Sequence, residues 1–331
     1  MADHHTARGF RNPWPDAEPR GLPDLVRWAW QRRRQTLAPN PPPGTFPAAQ
    51  PTFPTRGGER TLSATWVGHA TVLLQIERIN VLTDPMWSER ASPVSFAGPR
   101  RLVAAAVDLE ALPPIDVVLI SHNHYDHLDR PTVSTLAKRM PRIQWLAPLG
   151  LARVLRSWGA ENVRELDWWQ GETIETSTGT LTATAVPAQH FSARGLGDRG
   201  RTLWCSWVVG NDGARAFFSG DTAFHPEFSL IGERCGPFDL LMMPIGAYEP
   251  RWFMRSVHMN PPEALRAYAQ LAGSQRDRPP LLPIHWGTFR LTDEPMQEPP
   301  DWTMRLWREA GYDASGMWLL QHGETRTIRV R

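Results

Sequence analysis

The pattern of apolar positions changes character near residue 60. Before that point, residues 22–37 ("LPDLVRWAWQRRRQTL") carry Leu22, Leu25, Val26 and Trp30 and then Arg32, Arg33 and Arg34. Apolar residues three and four apart share one helix face, so this stretch predicts an amphipathic helix. A proline-rich run, "APNPPPGTFPAAQPTFPTRGG", follows and reads as an extended arm. From Leu62 onward short apolar runs alternate with turn residues: "ATWV", "TVLLQI", "INVLTD", "DVVLIS", "IQWLAP", "LTATAV", "TLWCSWVV", "RAFFSG", "DLLMMPI" and "PLLPIHW". These predict strands. Helical spacing returns over residues 130–140, 149–159, 261–272 and 301–310. No repeat of solenoid period is visible. Many strands mixed with few helices predict layered sheets flanked by helices, an α/β domain over residues 61–331 preceded by a helix and arm over 1–60.

Composition narrows the function. At 331 residues the chain can bury a full core. A formal net charge of +2, with no basic domain or aromatic-basic interleaving, argues against nucleic acid as partner. Two cysteines, Cys205 and Cys235, make no disulfide framework and fit a reducing compartment. The amino terminus has no apolar signal segment, and no run approaches the ~18 apolar residues of a membrane span. The expected location is therefore cytoplasmic, with at most peripheral contact with the inner face of a membrane. His4 and His5 resemble a metal pair only in isolation, and are read as scattered polar residues of a loose terminus.

The chemistry concentrates in "SHNHYDHLD", residues 121–129, directly after the apolar run "IDVVLI". A core cannot bury three histidines and two aspartates without compensation. Alternate residues of an extended chain point the same way, so His122 and His124 can reach one ion, and Asp126 and His127 a second after the chain turns. Imidazole and carboxylate together suit zinc. One loop cannot complete two coordination shells, so further ligands are required at other strand ends. His190 after "LTATAVPAQ", Asp221 after "RAFFSG" and His285 after "PLLPI" meet that demand.

Taken together, "WVGHATVLLQI", "LTDPMWSERASPVSFAGPRR", "ISHNHYDHLD", "LWCSWVV", "GDTAF", "PIGAYEPRWFMRSVHMNPPEA" and "IHWGTF" resemble the N-acyl phosphatidylethanolamine-hydrolysing phospholipase D family of the metallo-β-lactamase fold. "NPWP" near residue 12 extends the resemblance. It implies a four-layer αβ/βα sandwich with two zinc ions per chain at one edge. His122, His124 and His190 would hold one zinc, Asp126, His127 and His285 the other, and Asp221 would bridge them. Asp84 in "LTDP" would orient the metal loop, unless it merely starts a turn before Pro85. His69 in "GHAT" matches the family but finds no vacancy among the ligands. His258 would sit at the site mouth, beside a helix start in which Asn260 caps and Glu263 completes a capping box. Val257 stands where the animal members of the family carry a polar residue.

Two Zn²⁺ with Asp126 and Asp221 leave a charge of about +2 before any solvent ligand, which favours an anionic phosphodiester over a neutral amide. The implied reaction is attack of a metal-bridging hydroxide on phosphorus, releasing N-acylethanolamine and phosphatidic acid, with Asp126, Asp221 and His258 as catalytic residues. Ser121 and Cys205 need no catalytic part in it. A lactonase or sugar-phosphate hydrolase of the same fold is the alternative. A binding protein without activity conflicts with a complete set of ligands. Two features suggest lipid: "RWAWQRRR" as a basic, tryptophan-bearing segment for an anionic surface, and "GAYEPRWFM" as an aromatic entrance. Ordinary packing of aromatics with arginine is the alternative reading of both. Homodimerisation is a further expectation.

Overall fold

The computed structural model describes residues 3–195 and 197–330. Two mixed sheets face each other. The first has the order β15 (Thr325–Arg329), β3 (Thr61–Gly68), β4 (Thr71–Ile76), β5 (Ile79–Thr83), β6 (Val117–Leu119), β7 (Gln144–Pro148), β8 (Asn162–Leu166). The second runs β14 (Leu281–Ile284), β13 (Leu240–Pro244), β12 (Arg215–Phe218), β11 (Ser206–Gly210), β10 (Gly179–Val186), β9 (Gly171–Thr176). A small hairpin, β1 (His5–Thr6) and β2 (Gly9–Phe10), stands apart from both.

The period of two along each strand builds the layers. Leu62, Ala64 and Trp66 of β3, Val72 and Leu74 of β4, and Val81 of β5 join the core between the sheets, where Ala183, Trp207 and Phe217 of the second sheet meet them. Their neighbours Val67, Leu73 and Leu82 point the other way, into a second cluster with Val133 and Leu136 of α2 (Arg130–Arg139) and Leu155 of α3 (Ala152–Ser157). Outside the second sheet lie α4 (Phe228–Cys235), α6 (Pro261–Ala272) and α7 (Glu298–Glu309). Phe228, Tyr268 and Trp307 from these helices complete the larger core. The result is the four-layer metallo-β-lactamase fold.

All ten apolar runs form strands. Apart from the terminal hairpin, the strands that alternation did not reveal are β8 ("NVREL"), β9 ("GETIET") and β15 ("TRTIR"), which lie at sheet edges and keep polar residues at exposed positions. The helix over residues 22–37 is shorter than expected: α1 spans Leu22–Arg32, because consecutive arginines repel and Pro39 ahead cannot continue a helix.

The amino terminus departs from the expectation of a loose tail. His4 is buried, and both His4 and His5 bond Asp167. The hairpin is stitched down by the Phe10 amide on the Gly200 carbonyl at 2.6 Å. Apolar cover from Trp168, stacked on His4 with ring centroids 4.1 Å apart, supplies the physical reason.

Candidate metal centre

Strand direction explains why the candidate ligands meet. β5 and β6 run parallel, as do β12, β13 and β14, and β10 is antiparallel to β11, itself antiparallel to β12. The carboxyl ends of β5, β6, β10, β12 and β14 therefore open on one edge, and each is followed by a candidate ligand or its support. The turn after β3 delivers His69 to the same place. The backbone is strained there: His69, Asp84 and His285 have φ of 56°, 31° and 60°, a region that non-glycine residues rarely hold. Gly220 (φ 55°) must be glycine, since a Cβ would lie 2.4 Å from that of Ser121.

The ligand atoms fall into two groups that share one carboxylate. In the first, His124 Nδ1 lies 2.9 Å from His122 Nε2 and 3.2 Å from His190 Nε2. A tetrahedral ion with Zn–N bonds of about 2.0–2.1 Å sets its ligands roughly 3.3 Å apart, so this triangle needs little change to close on zinc. In the second, Asp126 Oδ2 is 3.5 Å from both His127 Nε2 and His285 Nε2. Asp221 Oδ2 stands between the groups, 3.1 Å from His127 and His285 Nε2 and 3.9 and 3.8 Å from His122 and His190 Nε2. His127 Nε2, His285 Nε2 and Asp221 Oδ1 are buried without hydrogen-bond partners. Buried polar atoms are rarely left so, and a cation fits their common focus.

The electrostatics make the same demand. Burial pushes the pKa of His124 to about 3 and of His190 to about 4, so both present neutral lone pairs. At His285 burial is opposed by Asp221 and Asp126, which lift its pKa to about 9, and His127 is raised likewise. Asp221 and Asp126, which burial alone would raise, are held well below the usual carboxylate range chiefly by His127, together with His285. The carboxylates thus hold protons on two imidazoles, and a divalent cation would release them.

Supporting contacts fix which nitrogen faces the centre. Asp84 accepts from the Ser121 amide at 2.7 Å and from its hydroxyl at 2.5 Å, and receives His127 Nδ1 at 2.7 Å. Asp84 therefore does more than start a turn before Pro85: it orients the histidine loop. His190 Nδ1 donates to the Val257 carbonyl at 2.9 Å. Asn12 of "NPWP" donates to the His190 carbonyl at 2.9 Å, so the amino-terminal arm also supports the centre. Arg194, which no motif signalled, donates to the Asn123 and Leu128 carbonyls at 2.9 and 2.7 Å and brackets the loop. Cys205 is buried and its thiol pKa is pushed up by burial, which leaves it inert.

Two further histidines stand close to the candidate ligand groups. His69 Nε2 is 3.0 Å from Asp126 Oδ2, and its ligand atom groups with those of Asp126, His127 and His285. The shared turn after β3, not any spacing in the chain, puts it there. His258 is buried, its ring 5.1 Å from that of His190 and 5.3 Å from that of His285, and it groups with His190 and Asp221. The capping box at Asn260 and Glu263 forms, and Arg251 of α5 (Arg251–Met254) bonds both Glu263 and the His258 carbonyl.

A profile of the Beta-lactamase superfamily domain matches residues 79–286, from the start of β5 to one residue beyond His285. The chain belongs to the beta-lactamase superfamily. Within this superfamily it is a metallo-hydrolase. N-acyl-phosphatidylethanolamine-hydrolyzing phospholipase D 1 of Caenorhabditis elegans is 40% identical over 305 residues, 88% of this chain and 84% of that protein. An uncharacterized protein of Mycobacterium tuberculosis is 45% identical over 277 residues, 83% of this chain and 71% of that one. Among solved structures, isothiocyanate hydrolase from Delia radicum gut bacteria aligns with a TM-score of 0.63 at 22% identity, covering 81% of this chain and all of that one (100%). At that identity the likeness is one of fold.

Proposed function

We propose that this superfamily member is a zinc-dependent phosphodiesterase of the phospholipase D type, which hydrolyses N-acyl phosphatidylethanolamine-like lipids to N-acylethanolamine and phosphatidic acid. The sharing of Asp221 Oδ2 by two ligand groups supports the two-ion site, and the 40% identity to the phospholipase D of Caenorhabditis elegans over 88% of this chain supports the substrate class. His122, His124 and His190 would hold one zinc, Asp126, His127 and His285 the other, with Asp221 between them. When bound, zinc supplies Lewis acidity toward a phosphoryl oxygen and lowers the pKa of water from 15.7 to about 7. The chain supplies the rest. Asp84, itself held by Ser121, fixes His127 in one tautomer, and His69 restrains Asp126. Burial keeps His258 neutral and its Nδ1 has no partner, so it is free to hydrogen-bond a phosphate oxygen or the departing alkoxide.

A lipid substrate requires access to a membrane surface, and α1 provides a face for it. Its outward side exposes Leu22, Leu25, Val26 and Trp30, with Arg34 over the Trp30 ring at 3.5 Å. The other side is anchored, which corrects part of the sequence reading. Trp28 donates to Asp293 at 2.6 Å and packs on Phe253, and Arg32 pairs with Asp293. Trp30 and Arg34, rather than Trp28 and Arg32, would meet anionic lipid; no helix among the described residues is long and apolar enough to cross a membrane.

Product analysis on a panel of N-acylated phospholipids, ordinary phospholipids, lactones and sugar phosphates tests the proposal. N-acylethanolamine and phosphatidic acid from the first class alone are the expected result. Turnover confined to lactones or sugar phosphates would replace this reading with the other hydrolase class.

A further inference from the structure

The proline-rich arm closes one wall of a cavity of about 560 Å³, whose ionisable lining consists of Arg32, Arg100, Arg101 and Arg290. No carboxylate lines it among the described residues. Two of the four arginines already have counter-ions: Arg32 pairs with Asp293 at 3.0 Å, and Arg100 with Glu89 at the surface. The other two bond only neutral oxygens. Arg101 donates to the Ser88 and Met86 carbonyls, and Arg290 Nη1 to the Ala38 carbonyl at 2.5 Å and Asn40 Oδ1 at 3.1 Å. Their remaining donors, Arg101 Nη1 and Arg290 Nε and Nη2, are buried without partners.

A desolvated guanidinium with no counter-ion is costly. The cost is felt here, since burial presses the Arg101 pKa down to about 10, with Asp129 opposing. At neutral pH the charge nonetheless remains. Nε and Nη2 of one guanidinium form the planar two-donor edge that matches two oxygens of a phosphate. Two guanidinium groups without a direct ion pair, Arg101 offset only at a distance by Asp129, suit the charge of about −1.5 to −2 on a phosphomonoester. We propose that this cavity binds a phosphomonoester dianion, at a site separate from the metal-ligating edge. The anion comes either from free phosphate esters or from the headgroup of a phosphatidic acid in a membrane touched by α1. Only the lipid source rests on the phospholipase reading.

Calorimetric titration of inorganic phosphate into the wild type, Arg290→Gln and Arg290→Lys tests the site. Arg290→Gln should weaken phosphate binding by roughly tenfold or more, and Arg290→Lys, which keeps charge but loses the two-donor edge, by less. Cleavage of a short soluble phosphodiester should be the same in all three. If Arg290→Gln does not fold, the surface variant Arg100→Gln serves instead, with a several-fold weakening expected. Unchanged phosphate affinity in the folded variant overturns the proposal. Sedimentation with phosphatidylcholine vesicles containing phosphatidic acid, or an equal fraction of phosphatidylglycerol, separates the sources. A preference for phosphatidic acid that Arg290→Gln abolishes assigns the lipid headgroup. Vesicle binding that is unaltered, beside lost phosphate binding, assigns a free phosphomonoester.

Discussion

Two histidine-rich stretches of this chain, "DHH" at residues 3–5 and "HNHYDH" at residues 122–127, meet opposite surroundings. At the amino terminus His4 Nε2 and His5 Nε2 each bond one oxygen of Asp167, at 2.7 and 2.8 Å. One carboxylate satisfies both rings, and the cluster works as a clasp that pins the hairpin to the domain. At the strand ends, ring nitrogens converge on one another, and Asp221 Oδ2 faces four of them. Carboxylates are too few there to satisfy every nitrogen, and atoms remain buried without partners. Residue type is shared by the two clusters. What separates them is whether hydrogen bonds inside the protein are sufficient, and only the second needs a cation.

The largest expected effect is at Asp221. Asp221→Asn removes a charge from both ligand groups at once, so turnover should fall to near background and metal content should drop. Near-normal activity would mean that the shared carboxylate is assigned to the wrong residue. His258→Ala comes next. If this side chain assists proton transfer or stabilises developing charge, turnover should fall by ~10²–10⁴-fold with metal content unchanged. A loss confined to KM would make it a binding group, and loss of metal would place it among the ligands.

The smallest effect is at the clasp. Asp167→Asn should cost about 1–3 kcal/mol of stability, leave metal content intact, and speed proteolysis of the amino-terminal arm. Acid should mimic it. Burial lowers the His4 pKa despite Asp167, so its stabilising share is full above about 6.5 and declines as pH falls below that. His4 and His5 hold the Asp167 pKa down against burial, so its share is lost only at still lower pH. Arm proteolysis that does not change between pH 7 and 5, or metal loss from Asp167→Asn, would erase the contrast between the clusters.

Legibility in the sequence followed burial. Central strands such as β4 and β13 are apolar on both faces and read as continuous runs, while the edge strands β8, β9 and β15 keep solvent-facing polar residues and escape a hydrophobic pattern. The same logic holds at the centre. His122, His124, His190, Asp221 and His285 follow apolar runs, so position after a strand announces them. His69 and Arg194 act through turns and loops that only the fold brings near, and nothing local marks them. The clasp failed for another reason: its partner, Asp167, lies 163 residues from His4. Trp28 and Trp30 share a helix and a basic context, and only tertiary contacts, Phe253 and Asp293 on Trp28, tell the inward ring from the outward one.

The most direct test of the proposed two-ion centre is zinc content measured by elemental analysis, before and after dialysis against chelator, with activity followed in the same samples. Two ligand groups sharing Asp221 should hold about two zinc ions per chain in the active protein, with loss of activity on loss of metal and recovery on adding zinc back. Full activity in protein that holds no metal would contradict it.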